Sequence, residues 1–413
     1  MSKKIDERIP QQVGDKTLPL HAAVKSPWDK LVSYHDAAHY CQRYTAVVSA
    51  AAMQAFRILI PDYVERSKAI CKNAYNRLDA IMGMYNGGVA AGAMEGLCIH
   101  PFMAGQFTGA FTGDQGDDQL LMCGRVCDCG TYRAEKELDV CYWDIVGSEL
   151  CRSTTQSLQA CADQFAKQRH AGPSMEYHMV EAKGCGDLHC RIVAESREKY
   201  PMPEHEQWEC FGPVATADQI KFTTEEYMVK ESQVFREECD NRFINGTCSE
   251  LDSNSLYPMV TMSNGCMYIY PVFDDLIREG RLTDETVNHV LKCVFEAAGK
   301  AAFGEMFAKE GLRAWLGAPH DVDDGRLIGG YIEMFLQCMR IDYQIEAFNK
   351  EEVIYVIDRN ALANQMPRLP DCYVSYWYGM TKTLVSAMWS LWEEDSPEGK
   401  LRIRIAKKVD KFC

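Results

Sequence analysis

The sequence predicts an α+β protein made of two diverged copies of one module, in which N-terminal helices pack on a small, mostly antiparallel sheet. Three observations predict it. Apolar residues keep helical spacing and later alternate, and this change of period occurs once in each half of the chain. The 413 residues exceed one ordinary core, so two units are expected. Segments of the two halves also match at a nearly constant offset.

In chain order, residues 1–30 read as an irregular N-terminal arm, polar and without the apolar run of a secretory signal. Residues 31–200 are the first module, which carries the site. Its first helix covers about Trp28 to Ile60, with Ala-rich spacing, and Pro61-Asp62 opens a second that ends at Asn86-Gly87-Gly88. The segment from Leu120 to Ala134 alternates as a strand. Leu138 to Val146 reads as a second strand or a strand-to-helix junction, and a helix follows from Glu149 to Arg169. Met175–Lys183 and His189–Glu195 read as strands joined by a tight turn at Gly184-Cys185-Gly186-Asp187, where glycine supplies positive φ. Residues 201–215, rich in Pro, Glu and Trp, are the expected linker, and residues 216–413 the second, degenerate module. There, Thr224–Phe243 and Thr283–Phe307 read as helices. An aromatic helical stretch spans Tyr373–Trp392, and Lys400–Lys411 reads as a terminal strand with a solvated basic face.

The repeat rests on three matches. Cys141-Tyr142-Trp143-Asp144-Ile145 aligns with Tyr355-Val356-Ile357-Asp358-Arg359, 214 positions later. Gly186-Asp187-Leu188-His189-Cys190-Arg191-Ile192 aligns with Gly399-Lys400-Leu401-Arg402-Ile403-Arg404-Ile405, 213 positions later. The helix around Glu65–Tyr85 matches Asp284–Gly304. Across these matches Cys141, Asp187, His189 and Cys190 become Tyr355, Lys400, Arg402 and Ile403, whereas Asp144 persists as Asp358. A copy that keeps apolar strand positions and loses its polar cluster has kept the fold and discarded the site. The chemistry is therefore expected in the first copy.

Composition narrows the function classes. A net charge of −15 argues against a nucleic-acid ligand, which needs clustered Lys and Arg. No stretch reaches eighteen consecutive apolar residues, so no membrane span is expected. Nineteen cysteines without a signal peptide imply reduced thiols, a cytoplasmic location and an organism with little oxygen, most of the thiols packing as small hydrophobes. No phosphate-cradling GxxxxGK[ST] loop and no GxSxG elbow occurs.

The chemical candidates cluster in the first copy: Cys123, Cys127 and Cys129 on one strand, Cys141 and Asp144, Cys151 and Cys161, then Cys185, Asp187, His189 and Cys190. Strand alternation gives Cys127 and Cys129 one face and sets His189 and Cys190 on opposite faces. Strands of one sheet bring Cys129, Cys141, Cys190 and a carboxylate together, which suits either a nucleophile site or a metal site. The C-x-C and C-x4-C spacings are looser than zinc knuckles. A nucleophilic thiol needs a neighbouring base to lower its pKa, and His189 or His178 is in range. The competing reading is a set of core thiols with Asp187 capping its own turn.

The first copy resembles the L-2-amino-thiazoline-4-carboxylic acid hydrolase family. The likeness lies in the helix ending at Asn86-Gly87, the Cys129-Gly130 strand, the Cys141-Tyr142-Trp143-Asp144 segment and the terminal Gly186-Asp187-Leu188-His189-Cys190. It covers about Tyr44 to Glu195 and is moderately specific. The same Gly-Asp-x-x-Cys hairpin is similar to that of the four-vinyl reductase sensor domain. The chain departs from the hydrolase pattern in its second copy, in Cys129-Gly130 where the family tends to Cys-Pro, and in its extra thiols.

The resemblance implies a hydrolase acting on a C–N bond of a small cyclic amidine, isothiourea or amide. Cys141 or Cys190 attacks the carbon between heteroatoms, Asp144 holds the cationic nitrogen face, and His189 moves protons with Asp187 beside it. Two alternatives stand beside it. One is a redox or lyase protein in which Cys129, Cys141 and Cys190 ligate zinc or an iron–sulfur cluster. The other is a non-catalytic small-molecule sensor. The expected partners are a small-molecule substrate and a second copy of the chain, the aromatic, Met-rich C-terminal helix suiting a homo-oligomer.

Overall fold

Pro61 stops the first long helix. It has no N–H to give, and it disfavours helical geometry at the residue before it. In the structure, a computed structural model, α1 accordingly covers Tyr34–Leu59 and α2 covers Tyr63–Asn76. The carboxylate of Asp62 caps α2 by accepting the Glu65 N–H at 2.7 Å. The structure describes residues 2–3, 24–32, 34–76, 124–129, 133–138, 142–153, 155–156, 175–196, 266–305, 309–338, 341–363 and 366–408. These residues form helices and small antiparallel sheets, an α+β arrangement.

Ahead of α1, strands β2 (Val24–Lys25) and β3 (Leu31–Val32) pair as a short hairpin. The expected helix start at Trp28 is therefore six residues early. Ser26 accepts the Trp28 and Lys30 N–H groups, and Asp29 has φ 64°, which together make a turn. The first sheet contains β4 (Gly124–Cys129), β5 (Arg133–Leu138), β6 (Met175–Glu181) and β7 (Cys190–Ser196), in the order β4-β5-β7-β6. Two expectations are corrected here. The single strand read over Leu120–Ala134 is two strands separated beyond Cys129. Tyr142–Val146, read as a strand or junction, is a 3-10 turn. The tight turn expected at residues 184–187 is also looser: Lys183–Cys185 makes a 3-10 turn closed by Gly186 at φ 101°.

Downstream come α3 (Cys266–Arg278), α4 (Asp284–Glu305), α5 (Lys309–Leu316) and α6 (Arg326–Cys338). They precede β8 (Tyr343–Phe348), β9 (Glu352–Asp358), α7 (Arg359–Ala363), α8 (Leu369–Leu384), β10 (Trp389–Glu394) and β11 (Lys400–Lys407). The second sheet runs β1-β8-β9-β11-β10, with β1 (Ser2–Lys3) added at one edge. The aromatic helix expected to reach Trp392 ends at Leu384, and Trp389 and Trp392 stand on β10 instead.

Four strands of each sheet share order and antiparallel direction, and the last pair differs, β6–β7 carrying a bulge between Met179 and Glu181 where β10–β11 runs without one. In the first pair of each, three residue pairs are followed by a bulge and two more pairs. Cys127 is the extra residue in β4 and Glu346 the extra residue in β8. Matching the ladders pair for pair sets Lys136 against Tyr355 and Cys190 against Leu401. This pairing does not reproduce the sequence match of Cys190 with Ile403, and Cys141 lies outside the described residues. The connection between β6 and β7 is longer than that between β10 and β11, so aligning their glycines slides the strands.

The core explains why these elements hold together. Leu401, Ile403 and Ile405 of β11 are buried, while Arg402 and Arg404 between them pair with Glu346, Glu394 and Glu352. Helices α4 and α8 cross closely because Gly299 and Gly379 carry no side chain at the contact. One continuous apolar cluster includes Phe56 and Tyr44 of α1, Trp143, Val146, Phe335 and Trp377. Inside it the Trp377 indole N–H donates to the Tyr44 hydroxyl at 2.8 Å.

Candidate functional site

The end of α1, the start of α2, the 3-10 turn at 142–146 and the β6–β7 connection meet at one place. Gly147, at φ 105°, turns the chain so that Glu149 points back beneath α1. There the buried Glu149 carboxylate accepts from Arg57 Nη2 at 2.9 Å and Arg66 Nη2 at 3.1 Å. Arg57 also donates to the Val146 carbonyl, and Arg66 to the Ile60 and Pro61 carbonyls at the end of α1. Burial works to raise the Glu149 pKa, but the bonds from Arg57 and Arg66 outweigh it and hold the carboxyl below its ordinary value. Tyr63 stacks under the Arg66 and Arg152 guanidinium groups, and its hydroxyl meets Ser148 at 2.8 Å.

Against this ionic floor lies a group of thiols. The Cys190 sulfur accepts the Lys183 N–H at 3.4 Å. The Cys151 sulfur lies against Gly184, where an added Cβ would come within 2.8 Å of it, and takes a backbone hydrogen bond from that residue. Cys185 follows directly and is exposed. Two buried thiols thus lie against Lys183 and Gly184 of one turn, whose third residue carries the exposed thiol of Cys185. Burial, then the neighbouring Cys190 and Cys185, push the Cys151 thiol up to about 12, so it is protonated at neutral pH. Burial, less the opposing effect of Arg152, also raises the Cys185 thiol. Cys71 of α2, likewise near Arg152, is pushed up to about 12 by burial.

The remaining sequence candidates divide as follows. Asp187 is exposed and turns back to accept the Ala182 N–H at 2.8 Å, closing its own hairpin. His189 Nε2, just ahead of β7, lies 2.5 Å from Glu181 Oε2 at the end of β6, an ion pair when the imidazole is protonated. His178 is half-buried on β6, and desolvation lowers its pKa to about 4, leaving it neutral. Asp144 is half-buried in the 3-10 turn. Cys129 ends β4, and Cys123, Cys141 and Cys161 lie outside the described residues. Among the described residues no group of three or more His, Cys, Asp or Glu side chains is arranged to hold a metal ion. Cys141, one member of the zinc or iron–sulfur set, is not among them.

Sequence reasoning named Cys151 without giving it a role and passed over Glu149, Arg57, Arg66 and Arg152. Their meeting depends on how α1 and α2 dock against residues 142–153, which no local spacing encodes. A weak signal existed in Gly147-x-Glu149-x-Cys151-Arg152, a charged and reactive run that begins two residues after a glycine.

The fold and site define an α+β protein with a thiol group seated on an arginine–glutamate floor. No family model, no curated protein and no solved structure matches the chain. Among the described residues no helix is long and apolar enough to cross a membrane.

Proposed function

We propose that the first module is a thiol-dependent hydrolase of a C–N bond in a small cyclic amidine, isothiourea or amide, and that the second module is its degenerate copy. The reading rests on one observation: Cys151, Cys185 and Cys190 gather around the N–H groups of a single turn. The degenerate copy is supported by the shared strand order and bulge position of the two sheets, and by the absence of any cysteine from Trp389 to Lys407.

In this reading Cys190 is the nucleophile, because a backbone N–H donated to its sulfur favours the thiolate. The thiolate adds to the carbon between the heteroatoms, the C–N bond breaks, and the leaving nitrogen takes a proton from water. A second water then hydrolyses the thioester-like intermediate and returns the thiolate. His189 and Asp187 serve by fixing the hairpin that presents the Lys183 N–H, a change from the proton-shuttling role expected of His189. A cytoplasmic, reduced setting suits this chemistry.

The test is turnover of a panel of cyclic amidines and isothioureas, followed by ring opening. The expected result is activity that Cys190→Ser abolishes and Cys293→Ser, a substitution on the exposed face of α4, leaves unchanged. Equal activity in both variants overturns the assignment. A second reading, a small-molecule sensor without catalysis, is favoured by the 3% exposure of Cys190 and the protonated state of Cys151. Saturable binding of the same compounds without turnover would decide for it.

A further inference from the structure

We infer that Cys151, Cys185 and Cys190 form a redox-active relay that takes a low-molecular-weight disulfide as its oxidant and ends in a Cys151–Cys190 disulfide. The inference goes beyond the hydrolase reading and does not need it, since the relay operates whether or not the protein turns over a substrate.

The geometry carries the argument. Disulfide bonds require two β-carbons within a few ångströms, with sulfurs free to rotate toward each other. Cys190 Sγ sits on the Lys183 N–H and Cys151 Sγ against Gly184, the next residue of the same 3-10 turn. Both thiols are at least nine-tenths buried, so a dissolved disulfide does not reach them directly. Cys185, the third residue of that turn, is exposed at the surface. The influence of Cys190 on the Cys151 thiol ranks directly after burial itself, and Cys185 acts on the same thiol, as expected for three sulfurs in one neighbourhood.

The electron balance is that of ordinary thiol–disulfide exchange. The Cys185 thiolate attacks the small disulfide and releases one small thiol, leaving a mixed disulfide on Cys185. The Cys190 thiolate attacks the Cys185 sulfur and releases the second small thiol. The Cys151 thiolate then attacks the Cys190 sulfur and returns Cys185 as a thiolate. Two protein thiols are oxidised, one small disulfide is reduced to two thiols, and the two protons lost by the protein thiols end on the released small thiols. Exchange needs thiolates, and burial raises the Cys151 and Cys185 thiols, so the relay is slow at neutral pH and quickens toward pH 9.

The experiment treats the full chain with oxidised glutathione, blocks free thiols by alkylation, and maps the linked peptides by mass spectrometry. The expected product joins Cys151 to Cys190 and leaves Cys185 alkylatable. Cys185→Ser is expected to slow its formation by ~10-fold, because the exposed thiol is the one the oxidant meets. Cys151→Ser is expected to stop at a Cys185–Cys190 link. Cys151 and Cys190 remaining as free thiols while Cys185 carries glutathione overturns the relay, as does formation at the wild-type rate in Cys185→Ser. The wild-type map requires no variant, so misfolding of a variant leaves it decisive. Failure here is distinct from failure of the hydrolase reading: a missing disulfide leaves turnover untouched, whereas turnover that persists in the oxidised protein removes Cys190 as nucleophile.

Discussion

Replacing Glu149 with Gln leaves Arg57 and Arg66 side by side without the carboxylate that both of them bond. Breaking a buried pair in this way costs about 3–5 kcal/mol, because the remaining charges stay desolvated. Urea denaturation of Glu149→Gln is expected to show a loss in that range, and an unchanged midpoint would contradict it. The same carboxylate sets a pH dependence. Its folded pKa is lowered below the ordinary value of 4.5, so the unfolded chain binds the proton more tightly. The stability it contributes is complete above the unfolded value and is lost as the pH falls through the lower folded value. Denaturation midpoints are expected to drop below about pH 4.5 in the wild type, and this step should be missing in Glu149→Gln. None of this was legible in the sequence. Arg57 and Glu149 are 92 positions apart, and only the docking of two helices onto a turn joins them.

At the scale of the element, α4 and α8 approach so closely that a Cβ on Gly379 would collide with the Glu296 carbonyl, and one on Gly299 with that of Tyr376. Both obstacles are backbone, so a rotamer change gives no relief and the helices must separate. Gly379→Ala is expected to lower stability by about 3 kcal/mol despite its better helix propensity, read as a fall in Tm. A rise in Tm would show that the crossing is slack. The elements also explain which parts of the fold could be read from the chain. β9, Glu352-Val353-Ile354-Tyr355-Val356-Ile357-Asp358, is rich in β-branched and aromatic residues, and β11 alternates Leu and Ile with Arg, so both announce themselves. β5, Arg133-Ala134-Glu135-Lys136-Glu137-Leu138, lies between two partners yet has one large apolar residue, and its pairing is a matter of neighbours rather than composition. Of the site, the hairpin carrying Asp187, His189 and Cys190 was legible from Gly186. The closing of Asp187 on its own turn, and of His189 on Glu181, required the register of β6 against β7.

Across the whole molecule, α1 is shared property. Tyr44 packs among Tyr331, Phe335, Tyr373 and Tyr376, and accepts the Trp377 N–H, so the C-terminal half is incomplete without a helix from the N-terminal half. A fragment of residues 216–413 is expected to lose the near-UV circular dichroism of its aromatic cluster and to melt without a cooperative transition. A sharp transition in that fragment would show that α1 is dispensable. The separation of 333 residues between Tyr44 and Trp377 has a consequence for synthesis. At a translation speed of about 5–20 residues per second, α1 leaves the ribosome roughly twenty seconds to a minute before α8 exists. For that interval Tyr44 lacks the two tyrosine rings it packs among on α8 and the indole N–H it accepts, so the aromatic cluster closes only when the last helix emerges.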